Sequence, residues 1–165
     1  MDQEDRPLNP RLDRLNYRRQ FVLGSSFIRE FSGWREMPIT ESLCLTSHPD
    51  LDVSRVAEGD RSLVLLGYMI DPEEPEQTSA DILGRLFSDL TERDSIFSLT
   101  SRIGGRWILI LVEKHKVFLF HDATGLRQVF FTAKRSLDLW CASQPELIAN
   151  RLKLALDPNA IVSLI

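Results

Sequence analysis

Residues 104–131 constrain the fold of this chain more than any other stretch. Positions 106–112 read Arg-Trp-Ile-Leu-Ile-Leu-Val, apolar on both alternating faces, so a strand here has to be covered on both sides and sit centrally in a sheet. Gly104 and Gly105 precede it and point to a close backbone approach; a strand and no Gly-Lys-Ser follows them, which argues against a phosphate loop. The polar break at Lys114, His115 and Lys116 is too short for a helical crossover, so residues 117–120 return antiparallel as a hairpin. Gly125 supplies the positive φ needed between Asp122 and a strand at 128–132, with Asp122 and Arg127 ordering that turn. A further turn at 134–136 leads into a strand at 137–142, which makes four consecutive strands. The aromatic residues Trp107, Phe118, Phe120, Phe130, Phe131 and Trp140 fall on these strands and are expected in the core.

The 165 residues suit one domain able to bury a core without disulfides or metals. A net charge of -4 argues against nucleic acid as the main partner, because phosphate binding needs a concentrated basic surface. Arg11, Arg14, Arg18 and Arg19 are read as a solvated face on an N-terminal leader. Cys44 and Cys141 lie far apart among apolar neighbours, which predicts buried free thiols and no zinc or redox pair. The acidic start and the lack of a long apolar run indicate no secretory signal and no membrane span, so a cytoplasmic location is expected.

Three segments are expected: a polar arm at 1–19, a domain at 20–151, and a linker at 152–165 that starts a truncated following domain. A first strand at 21–28 contains a glycine bend, 33–38 breaks the pattern, a short strand follows at 43–46, and 48–52 is a loop. Residues 62–70 form a strong strand that ends at Asp71-Pro72-Glu73-Glu74-Pro75, a turn too acidic and proline-rich to pack inside. Thr78 or Ser79 caps a helix with Asp81 in its first turn and Ile82, Leu83, Leu86, Phe87 and Leu90 on one face. Short helices follow at 94–100 and 144–151, and Asp157-Pro158 opens a last helix whose apolar end suggests a chain cut from a longer protein.

Three of these elements carry a resemblance. Gly105-Arg-Trp-Ile-Leu, Asp122-Ala-Thr-Gly-Leu-Arg-Gln-Val-Phe-Phe and Cys141-Ala-Ser-Gln-Pro-Glu-Leu-Ile-Ala follow one another as do the closing elements of the glutamine-hydrolysing domain of asparagine synthetases. Leu156-Asp-Pro-Asn-Ala-Ile also looks like that family's linker into its synthetase domain. The chain therefore resembles a class II glutamine amidotransferase domain of the N-terminal-nucleophile hydrolase fold, over residues 104–160. The resemblance implies an α+β fold: a four-layer αββα sandwich of two antiparallel sheets. It also implies a synthetase domain of the same chain as partner, with homo-oligomers open, and ATP and magnesium as cofactors of that domain alone.

The family's glutamine site is altered. Its Asn-Gly-Glu corresponds to Leu66-Gly67-Tyr68 and its Ser-Asp-x-Glu to Thr78-Ser79-Ala80-Asp81, so Gly67, Tyr68, Ser79 and Asp81 would line a remnant substrate pocket without catalytic residues. The family arginine that grips the substrate carboxylate has Arg35, Arg55 and Arg61 as candidates. The family nucleophile is a cysteine whose own α-amine is its base. This chain starts Met1-Asp2, and no Cys, Ser or Thr lies between Tyr17 and Gly24. The expected function is thus a non-catalytic amidotransferase-like scaffold of an asparagine-synthetase-like amide-forming protein. The alternatives are a divergent active glutaminase, or a stand-alone interaction or regulatory module. His121 beside Asp122 is no acid-base pair, since adjacent strand residues face opposite ways, and His48, Asp50 and Asp52 are read as a surface loop and not a metal site.

Overall fold

The computed structural model describes residues 17–132 and 139–155. The leader before Tyr17, the turn at 134–136, the linker-like segment from Leu156 and the helix expected from Asp157 lie outside the described residues. The chain divides into two compact units, one formed by residues up to Ser47 with those from Val129 onward, the other by His48–Gln128. Each carries one purely antiparallel sheet, and with the helices this makes an α+β protein.

The inserted unit holds β4 (Val53–Glu58), β5 (Arg61–Ile70), α1 (Ser79–Asp89), α2 (Ser95–Thr100), β6 (Gly104–Glu113) and β7 (Lys116–His121). Its sheet order is β4-β5-β6-β7, so the doubly apolar segment at 106–112 is an inner strand, as its composition requires. Leu63, Leu65, Trp107, Leu109 and Leu111 pack on Ile82, Leu83, Leu86 and Phe87 of α1 and on Ile96 of α2. Val64, Leu66, Ile108 and Ile110 of the opposite face are equally closed to solvent. Each such side chain contributes roughly 1.5–3 kcal/mol of burial. The helix α1 starts where its sequence says it should: Thr78 accepts from the Asp81 N–H, and the Asp81 carboxylate accepts the Thr78 N–H in return. β6 and β7 join through a tight turn at Lys114 and His115, with Glu113 opposite Lys116.

The other unit holds β1 (Phe21–Gly24), β2 (Arg35–Pro38), β3 (Cys44–Ser47), β8 (Phe130–Phe131), β9 (Cys141–Ala142) and α3 (Pro145–Leu152), with sheet order β2-β3-β1-β9-β8. The wholly buried β1 is its central strand. Val22, Trp140 and Ala142 pack against Leu147 and Ile148 of α3. Gly24 is required by space, because the Trp140 ring occupies the position of its missing Cβ. Pro145 opens α3, and Lys153 closes it in the left-handed conformation at φ 52°.

The structure differs from the sequence expectations at several places. β2 lies where a break was expected; its charged, exposed side chains lack strand alternation, and pairing with β3 makes it a strand. β4 was not foreseen, and it is held by a two-residue turn at Gly59 and Asp60. The turn after β5 is not wholly solvated: Asp71 is buried, receives the Glu73 N–H at 3.0 Å and pairs with Arg85 of α1, which holds its carboxyl below the usual range. The strands expected at 128–132 and 137–142 appear among the described residues only as the residue pairs of β8 and β9, and they join the sheet of β1 instead of extending the β6–β7 hairpin. Phe130 and Phe131, expected in the core, are 37% and 72% exposed. Trp107 and Trp140 are buried as expected.

Candidate functional site

The end of β5 and the start of β6 are shaped by two glycines. Gly67 has φ 104° and Gly105 φ 113°, both in a region that side chains rarely enter. They flank one cross-strand pair, Tyr68 opposite Arg106. A Cβ on Gly67 would fall well inside 3.0 Å of the Arg106 carbonyl oxygen, and one on Gly105 equally close to the Tyr68 carbonyl oxygen. The two strands thus approach each other through bare backbone on both sides of that pair. The close approach expected at Gly104-Gly105 is real, and it belongs to Gly105. The Gly67 N–H donates to the Asp52 carbonyl at 2.8 Å.

The turn after β7 closes this end of the sheet. The Asp122 N–H donates to the Trp107 carbonyl at 3.1 Å, which ties the turn to the residue opposite Gly67. Asp122 itself is only 2% exposed. Its Oδ1 accepts the N–H and hydroxyl of Thr124 at 3.2 and 2.8 Å and the Leu126 N–H at 3.0 Å; its Oδ2 accepts the Arg127 N–H at 3.3 Å. Burial alone would raise this carboxyl, but those donors prevail and hold it below the ordinary carboxylate value. Gly125 at φ 63° completes the turn, as its sequence position predicts. Arg127 contributes its backbone to the turn while its guanidinium reaches elsewhere: Nη2 lies 3.2 Å from where a Gly67 Cβ would be. Arg127 is buried.

Gly67, Tyr68, Asp122 and Arg127 are therefore gathered by β5, β6 and the turn after β7. Tyr68 is 46% exposed at their margin. Ser79 joins through β5, since its hydroxyl accepts the Met69 N–H at 3.0 Å and donates to the Met69 carbonyl at 3.3 Å. Asp81 is occupied in the α1 cap, and its hydrogen bonds from the Thr78 hydroxyl and backbone hold its carboxyl below the usual range. Arg61 lies at the far end of β5, where it donates to the Leu90 carbonyl and covers the Phe87 ring. Arg55 stands on β4 opposite Val64, and Arg35 is on β2, in the other unit. The arginine that does reach Gly67 is Arg127, for which no local sequence signal exists, since 60 residues separate the two. His48 is buried and its Nδ1 accepts the Asp50 N–H at 2.9 Å, so it is part of a folded loop.

Burial pushes the Cys141 thiol up to about 12, whereas Cys44, expected to be buried, is half-buried. At neutral pH the native chain should take up one equivalent of a thiol reagent, at Cys44, and a second only on unfolding. Fast labelling of both thiols in the native state, read by mass spectrometry, would contradict the burial of Cys141.

Among the described residues no group of three or more His, Cys, Asp and Glu side chains is placed to hold a metal ion. No described helix is long and apolar enough to cross a membrane. A scan against models of known protein families and a search of curated proteins found no match to this chain.

Proposed function

We propose that this chain is a non-catalytic glutamine amidotransferase-like domain of an asparagine-synthetase-like, ATP-dependent amide-forming protein, in which it scaffolds the synthetase domain from a cytoplasmic chain. ATP and magnesium belong to that synthetase domain. The finer fold in this reading is the four-layer αββα sandwich. Its support is a sheet whose inner strands are buried on both faces, as the inner layer of a sandwich requires.

The observation that carries the reading is the state of Gly67. In the resemblance this glycine N–H and a preceding asparagine steady the oxyanion. Here the N–H is held by the Asp52 carbonyl, and the preceding residue is the buried Leu66. Oxyanion stabilisation needs donors aimed at the reacting oxygen. The remaining pocket residues are also committed, Ser79 to Met69 and Asp81 to Thr78. The strand β1 begins with an amide, since Phe21 N–H donates to the Ser143 hydroxyl at 2.9 Å and the chain continues upstream through Gln20 to Tyr17. An amide nitrogen is no base for a nucleophile.

The purified chain should release no ammonia from glutamine above the uncatalysed background, and a glutamine-analogue electrophile should leave Cys44 unlabelled. Turnover overturns the non-catalytic reading. The reading frame after codon 165 tests the synthetase link separately: a Ser-Gly-Gly-x-Asp-Ser pyrophosphate-binding motif is expected, and a stop codon would favour an independent interaction module.

A further inference from the structure

Two residues in the turn just before β1 hold a backbone conformation that side chains rarely adopt. Tyr17 has φ 57° and Arg19 φ 58°, both in the left-handed region that favours glycine. Arg18 and Arg19 are exposed, so burial of their side chains does not offset the strain. Tyr17 offsets it, by reaching across its own unit to the loop after β1 and to α3. Its ring meets Phe31 edge-on, with 5.4 Å between centroids, and Phe31 stacks on Trp34 at 4.7 Å. Its hydroxyl donates to Glu146 Oε2 at 3.1 Å and is also bonded by the side chain of Asn150, one turn further along α3. Burial and the Glu146 carboxylate raise the pKa of this phenol, so it keeps the proton it donates.

One ring edge and one hydrogen bond to a carboxylate are of the same order as the cost of two left-handed residues, and the bond is open to solvent, which keeps it weak. The turn is therefore close to balance between staying fastened and relaxing. Its neighbours are not. Phe21 is wholly buried, its N–H donates to the Ser143 hydroxyl and its carbonyl accepts the Ser143 N–H, so relaxation stops between Gln20 and Phe21. The helix α3 is anchored independently of the turn: Leu147 and Ile148 pack on Val22, Trp140 and Ala142, and Arg151 donates to the Ser26 hydroxyl at 3.0 Å.

We propose that residues 17–20 form a strap with Tyr17 as its buckle, which opens and closes on α3 while the fold beneath it stays intact. Closed, it covers the Phe31 ring and engages Glu146 and Asn150; open, it bares all three. The strap joins the chain upstream of Tyr17 to this face of α3. A ligand that holds the upstream chain and one that binds this face therefore act on a single equilibrium, and each alters the affinity for the other.

Hydrogen exchange of the whole chain, read by NMR at single amides, tests the strap. The Gln20 N–H, which donates to the Tyr17 carbonyl at 3.0 Å, should be protected yet exchange far faster than the Ser143 N–H, which donates to Phe21. Tyr17→Phe keeps the ring and loses the hydroxyl, and should speed exchange at Gln20 about tenfold with Ser143 unchanged. Tyr17→Ala should speed it further, and Arg19→Gly, which removes one of the two strains, should slow it severalfold. A wild-type Gln20 amide as slow as that of Ser143 overturns the proposal, because the turn is then part of the fold, and so does one that exchanges at the unprotected rate. That comparison decides even if a variant fails to fold. Equal acceleration at Gln20 and Ser143 in Tyr17→Ala also overturns it, since Tyr17 would then be a structural residue only.

Discussion

Asp122→Ala lowers the stability of the chain by roughly 3 kcal/mol, the sum expected when a buried carboxylate leaves several donors without an acceptor. The donors are the Thr124 N–H and hydroxyl and the Leu126 and Arg127 N–H groups. A chain of this size should lose about 6–12 °C in Tm. Asp122→Asn should cost about half as much, because its carbonyl oxygen still serves the donors on one side while its amide faces another N–H. The two variants also differ in acid. Asp122 titrates below its ordinary value in the folded chain, so the stability it contributes is present above that value and is lost as pH falls through the folded pKa. The wild-type chain should therefore hold its urea midpoint down to about pH 5 and lose it steeply below about pH 4. The asparagine variant should show a shallower acid limb. An unchanged midpoint for Asp122→Ala at pH 7 would mean that the turn is held by something other than this carboxylate.

Gly67→Ala should destabilise by roughly 3 kcal/mol or more, from a positive φ that alanine tolerates poorly and from overlap with backbone that no rotamer relieves. Gly105→Ala should behave alike, its Cβ meeting the Tyr68 carbonyl as that of Gly67 meets Arg106. Because both flank one cross-strand pair, the double variant should cost less than the sum, since opening that pair once relieves both overlaps. Gly59→Asn is the control. Gly59 has φ 59° with nothing within 4 Å of a Cβ, so the substitution should cost well under about 1 kcal/mol. Additive losses, or equal losses at Gly59 and Gly67, would show that conformation alone and not the close strand approach sets the requirement.

These residues also mark where sequence reasoning reached and where it stopped. The β6–β7 hairpin, the capped α1 and the positive φ at Gly125 were legible because each rests on neighbours within a few positions: an apolar run, a Thr-x-x-Asp box, a glycine after an aspartate. β4 alternates poorly and β2 is charged, so pairing and not composition makes them strands. Burial of Asp71 depends on Arg85 fourteen residues on, which a turn rich in acid and proline conceals. Phe130 and Phe131 read as core because aromatic residues on a strand usually are, yet the short β8 is an outer strand that leaves them open.

By itself the sequence determined the local elements and the turns between them, because hydrogen bonds and side-chain periodicity within a few residues suffice for those. The tertiary structure alone decided which distant groups meet: Arg127 over Gly67, the Asp52 carbonyl on the Gly67 N–H, and Trp140 against Gly24. Such meetings are set by sheet register, and a register is a relation between strands that neither strand's residues contain.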